Sequence, residues 1–81
     1  MSNHAKLQEL LVDVLLLEPD EYSLDLTREH IGTWDSLAVV SIAVGVHETF
    51  GYHPTPEEAT AIHGVRDIIR LLESKGIPFD G

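Results

Sequence analysis

The chain contains no cysteine, and that absence removes several functions at once. No disulfide framework, no thiolate zinc site and no cysteine nucleophile is possible. Any thiol chemistry has to come from something attached. Cations are scarce as well: five Lys and Arg stand against fourteen Asp and Glu, a formal net charge of −9 in 81 residues. The acids run from Glu9 to Asp80 instead of gathering in a tail. Such a chain repels nucleic acid and anionic lipid, and basic protein surfaces are its natural partners. No apolar run approaches the roughly 20 residues of a membrane-spanning helix. No charged segment followed by an apolar run marks a signal peptide, so a cytoplasmic protein is the default. The length suits one small domain, residues 1–81, with no room for a cleft between two lobes. A self-sufficient enzyme is therefore disfavoured. Met1 and the short tails give the expectation of a free-standing protein, with a domain cut from a larger synthase as the alternative.

What is present is helical periodicity. Leu7, Leu10, Leu11, Val14 and Leu17 recur at spacings of three and four, which predicts a helix from Asn3 to Leu17, with Lys6, Glu9 and Asp13 on its other side. Ser2 or Asn3 can cap its start, and Pro19 forbids its continuation. A long connection follows, Glu18 to Asp35, in which Tyr22, Leu24, Leu26 and Ile31 could pin the chain to a core. Connections of this length in compact domains are commonly functional or packed by their own side chains. A second helix is predicted from Ser36 to Phe50, ended by Gly51. Its Val39, Ile42, Ala43, Val46 and Phe50 form one apolar stripe, and Leu37, Val40 and Val44 a second on the adjacent face. That is wider than the apolar face of about 100° that a surface helix needs. Thr55-Pro56-Glu57-Glu58 reads as a capping box with Pro at the first helical position, opening a short helix to Ile62. Val65 to Lys75 forms the last helix, buried through Val65, Ile68, Ile69 and Leu72 and stopped by Gly76 and Pro78. No strand pattern competes. The expected fold is all-α, a four-helix bundle of three longer helices and one short one, with a long first loop. Its core is expected from Leu11, Val14, Ile42, Val46, Phe50, Val65, Ile68 and Leu72.

Ser36 lies where a Gly-containing loop becomes a helix. Unpaired amide N–H groups and the positive end of the helix dipole are found at such a point, and both favour a phosphate ester on the hydroxyl. Asp35 could bond those amides, or help hold a metal during phosphoryl transfer. Equally, Asp35 or Ser36 could be no more than an ordinary N-cap.

Gly32-Thr33-Trp34-Asp35-Ser36-Leu37 resembles the loop-to-helix signature of acyl carrier proteins, whose core is Asp-Ser-Leu. The resemblance continues through Phe50-Gly51, Pro56-Glu57-Glu58-Ala59 and the apolar helix from Val65 to Leu72, and spans about Leu7 to Leu72. It implies that Ser36 carries 4′-phosphopantetheine, transferred from coenzyme A by a phosphopantetheinyl transferase that recognises Asp35 and Leu37. The arm would supply the thiol the chain lacks and hold acyl groups as thioesters. The protein itself would catalyse nothing. It would act as a monomer that presents a tethered substrate at high effective concentration to a ligase and to the synthase or transferase enzymes of a fatty-acid, polyketide or specialised pathway. Within the same fold, an aminoacyl or peptidyl carrier of nonribosomal peptide type, loaded by an adenylating enzyme, is the alternative. Outside it stands a helical adaptor that is never modified.

The chain also departs from the family. Fatty-acid carriers have an acidic second helix, whereas Ser36 to Phe50 here holds a single acid, Glu48, and Ala38, Ser41 and His47 occupy positions that are usually acidic. Partners are therefore expected to dock on Leu37, Val40 and Val44, with Glu48 at the edge, unless Val40 and Val44 pack under the long loop. Trp34 before Asp-Ser-Leu is similar to stand-alone carriers of specialised pathways; it could pack on the loop or contact arm and partner. Pro54 replaces a residue that is commonly apolar and leaves the local loop geometry open. The five histidines show no metal-ligand spacing, so no metal site is expected. His30, Asp35 and Ser36 could be written as a triad, but no nucleophile elbow or substrate cleft accompanies them.

Overall fold

In the computed structural model, residues 2–79 are described; Met1, read above as the start of a free-standing chain, lies outside them. Four helices follow in order: α1 Asn3–Leu15, α2 Ser36–Phe50, α3 Pro56–Ala61 and α4 Val65–Ser74. Two 3-10 turns, Pro19–Glu21 and Arg28–His30, break the long connection between α1 and α2. No strand occurs among the described residues. The all-α architecture expected from periodicity is the one observed.

Ser2 caps α1, its hydroxyl accepting from the Ala5 N–H at 3.1 Å. The helix stops two residues before Leu17, and Pro19 is not the cause. Leu16 takes the left-handed conformation (φ 57°), and the Leu17 N–H turns back to the Val12 carbonyl at 3.0 Å. A non-glycine residue enters this region at a cost of about 1–2 kcal/mol. The reversal drives Leu16 into solvent, 80% exposed, and brings Leu17 down onto the core. The Thr33 hydroxyl donates to the Leu15 carbonyl at 2.6 Å, supplying a partner that the helix end lacks.

Most of the core is the expected one. Leu7, Leu11 and Leu15 of α1 meet Ile42 and Val46 of α2 and Val65, Ile68 and Leu72 of α4, all nearly or completely buried. Two members of the expected list sit differently. Val14 and Phe50 are half-buried at the margin, because Leu15 takes the innermost position on α1 and Phe50 packs outward against Phe79, ring centroids 5.6 Å apart. In the long connection Leu26 is buried and Tyr22 and Ile31 pack against the core, but Leu24 is exposed and pins nothing.

The connection is stapled to the α3–α4 junction. Arg28 N–H donates to the His63 carbonyl at 2.7 Å and Val65 N–H to the Leu26 carbonyl at 3.1 Å, around a bridge between Thr27 and Gly64. A Cβ on Gly64 would lie 2.8 Å from the Leu26 carbonyl oxygen, so glycine is what allows the two backbones to touch.

The capping box at α3 forms as expected: Glu58 N–H donates to Thr55 Oγ1 at 3.2 Å and Thr55 N–H to Glu58 Oε1 at 2.9 Å. The same carboxylate accepts from the Tyr52 hydroxyl and faces Lys75 Nζ at 3.5 Å, joining the end of α2, the start of α3 and the end of α4. The Thr55 amide, then the Tyr52 hydroxyl and the Lys75 charge, hold the Glu58 carboxyl down from 4.5 to about 2. A carboxyl that binds its proton less tightly when folded adds stability above about pH 4.5, and that stability is lost as the pH falls toward 2. Urea midpoints measured across this window should therefore fall more steeply for the wild type than for Glu58→Gln. Parallel curves would mean that the carboxylate contributes nothing as a charge.

Candidate functional site

Asp35 is extended (φ −106°, ψ −167°), and its Oδ1 accepts from the Ala38 N–H at 3.0 Å. This decides between the two capping readings. Asp35 is the N-cap, and Ser36 is the first residue inside α2, exposed, with no hydrogen bond to its hydroxyl among the described residues. An N-cap serine would have its oxygen committed to a backbone amide; a serine one position later does not.

The residue before the cap fixes where this happens. Trp34 is 3% exposed and belongs to the core, and its N–H donates to the Ile31 carbonyl at 3.0 Å. The expectation that Trp34 touches partners is corrected: its ring is inside, locking the loop at the point from which α2 starts. The indole Nε1 is buried without a partner, as is the Tyr22 hydroxyl. Burial pushes the Tyr22 pKa up.

On the outer face of α2, Leu37, Val40 and Val44 are 77%, 61% and 44% exposed. Packing of Val40 and Val44 under the long loop is ruled out by that exposure. Glu48, also exposed, shares with Val40 and Val44 one wall of a broad groove of about 1050 Å³ against α1, where Glu9 and Asp13 stand on the other side.

A second cavity, about 350 Å³, lies between α2 and α3 and includes Ser36 in its lining. Its walls are mainly apolar, from Val39, Val40 and Ala43 on one side and Pro54 and Ala59 on the other, with Arg28 and His53 as its basic residues. Pro54 is fully buried. The cavity is assembled from four stretches of sequence, and nothing local in any of them announces it.

The remaining constellations separate. His30 Nδ1 and Thr27 Oγ1 share a hydrogen bond at 2.9 Å, while Asp35 is engaged with Ala38, so His30, Asp35 and Ser36 form no triad. His47 and His53 meet edge to face at 5.3 Å, and among the described residues no three His, Asp or Glu side chains gather into a metal-binding group. No described helix is long and apolar enough to cross a membrane.

No family model and no solved structure matches the chain. Curated proteins do. The chain is 28% identical to the acyl carrier protein of Coprothermobacter proteolyticus over 69 residues, covering 85% of this chain and 84% of that protein. It is 29% identical to that of Bdellovibrio bacteriovorus over 77 residues, covering 94% and 97%. It is 31% identical to that of Petrotoga mobilis over 70 residues, covering 86% and 82%. With nearly the full length of these proteins aligned and the helical fold in place, this chain belongs to the acyl carrier protein family.

Proposed function

We propose that the protein carries acyl groups as thioesters on a 4′-phosphopantetheine arm esterified to Ser36, and catalyses nothing itself. One observation carries this reading: the Ser36 hydroxyl is exposed at the first turn of α2, left uncommitted because Asp35 does the capping. Asp35 holds the first turn in register, Trp34 anchors the loop behind it, and Leu37, the next residue along the helix, is exposed to a modifying enzyme. The arm would supply the thiol that a chain without cysteine cannot. The apolar cavity beside Ser36 gives the arm a surface other than water to lie on.

Intact mass after incubation with coenzyme A and a broad-specificity phosphopantetheinyl transferase tests the reading. The mass should rise by one phosphopantetheine. A mass that never moves would leave the unmodified helical adaptor standing. The mass of the arm's load, in protein isolated with its natural enzymes, separates acyl from aminoacyl cargo.

Docking follows from the outer face of α2. With Glu48 its sole acid, the helix offers Leu37, Val40 and Val44 as an apolar stripe. Burying such anchors is weakly sensitive to salt, whereas exposed charge pairs are screened within about 10 Å at 0.1 M. Val40→Asp should lower kcat/KM of the transferase about tenfold, equivalent to ~1.4 kcal/mol of lost binding. A wild-type reaction that weakens steeply with salt and is untouched by Val40→Asp would assign recognition to charge.

A further inference from the structure

Arg28 carries a charge that no acid among the described residues pairs with. Of the five cations, Arg66 pairs with Asp25, Arg70 with Asp67 and Lys75 with Glu58, while Lys6 and Arg28 form no ion pair among the described residues, and of these two only Arg28 lines the cavity that includes Ser36. It is half-buried, and its backbone is fixed at both ends of the 3-10 turn. Its N–H donates to the His63 carbonyl at 2.7 Å, and its carbonyl accepts from the Ile31 N–H at 3.3 Å. It lines the same apolar cavity as Ser36, and no acid among the described residues pairs with it. A half-buried guanidinium at a cavity wall, with no acid paired to it, is available to an anion that enters the cavity.

We propose that Arg28 binds the phosphodiester anion of the arm on Ser36 and so holds the arm along the groove between α2 and α3. The proposal rests on the reading of Ser36 as the attachment point. A phosphodiester on Ser36 stands beside the Asp35 carboxylate on a surface of net negative charge, which repels it. A nearby guanidinium offsets that repulsion, and its planar fork matches two phosphate oxygens at once, as a lysine ammonium does not. The apolar walls of Val39, Val40, Ala43 and Ala59 lower the local dielectric, which strengthens the pair relative to one in open water. With its root held, the arm lies along these walls until a partner displaces it.

The test uses the full chain converted to the modified form, with intact mass recorded first. No mass shift would mean that the Ser36 reading fails, independently of Arg28. With modification complete, the ³¹P resonance of the arm should be displaced from that of a phosphodiester free in solution. Nuclear Overhauser contacts should connect the arm's methyl groups to Val39 and Ala59. In Arg28→Gln the resonance should return to the free position and the contacts should vanish; Arg28→Lys should keep part of both. The backbone bonds of Arg28 do not involve its side chain, so amide spectra away from the groove should be unchanged. A wild-type measurement stands beside the variants: the Arg28 Nε–H signal should shift between the unmodified and modified protein. An unmoved Nε–H signal, or a phosphorus resonance and groove contacts that survive Arg28→Gln, would overturn the proposal.

Discussion

Ser36→Ala is expected to take up no phosphopantetheine at all, by intact mass, while its unfolding free energy from urea titration stays within about 0.5 kcal/mol of the wild type. The two halves of this result have separate causes. Loss of modification is complete because no second nucleophile among the described residues has an equivalent setting: there is no cysteine, the Thr60 hydroxyl at the same cavity is bonded to the Pro56 carbonyl, and Ser36 is the hydroxyl in the first turn of α2. Retention of stability follows from the division of labour at the helix start. Capping is worth about 0.5–2 kcal/mol, and Asp35 supplies it through the Ala38 amide. Ser36 sits inside the helix, where alanine is the better helix former by a few tenths of a kcal/mol. A mass shift that persists in Ser36→Ala would place the attachment elsewhere. A large loss of stability would mean that the serine hydroxyl is built into the fold, and an oxygen tied up in that way is a poor attachment point.

How far the sequence shows this depends on whether a feature is local. The bounds of α2 are local: a capping Asp35 at one end, Gly51 in the left-handed region at the other, and a continuous apolar pattern between them. The capping box at Thr55 and Glu58 is local too, and forms as read. The end of α1 is not legible, because the residue that turns back is Leu16, and rules for helix ends look for Gly or Asn there. The staple at Thr27 and Gly64 joins residues far apart in sequence, so the long connection looks looser in the sequence than it is in the fold. The cavity beside Ser36 has the same difficulty. Arg28, Ser36, His53 and Ala59 come from the loop and from three places after it, and no spacing rule connects them. Trp34 is ambiguous in the sequence for a different reason. A large aromatic next to a functional serine fits either a contact surface or a core, and only the packing decides.

That packing sets up the second large effect. Trp34→Ala should cost about 3–5 kcal/mol, most of the ~5 kcal/mol that a domain of this size is expected to have, and leave a substantial unfolded population at room temperature. The indole contributes two opposing terms. A buried Trp removes about 150–250 Å² from water, worth roughly 4–6 kcal/mol at 25 cal/mol per Å². Its Nε1 donor, sealed in without a partner, subtracts about 1–3 kcal/mol. Trp34→Phe discards the orphaned donor and keeps most of the apolar ring, so its cost should be far smaller, about 1 kcal/mol. Urea unfolding followed by far-ultraviolet circular dichroism compares the two variants without relying on the lost tryptophan fluorescence. Because Trp34 is next to the capping Asp35, Trp34→Ala should also slow modification of Ser36 in proportion to the folded fraction, whereas Trp34→Phe should be modified at the wild-type rate. If Phe proved as damaging as Ala, the indole N–H would have to be satisfied by an ordered water, and the loop before Ser36 would be held by a polar contact as well as by packing.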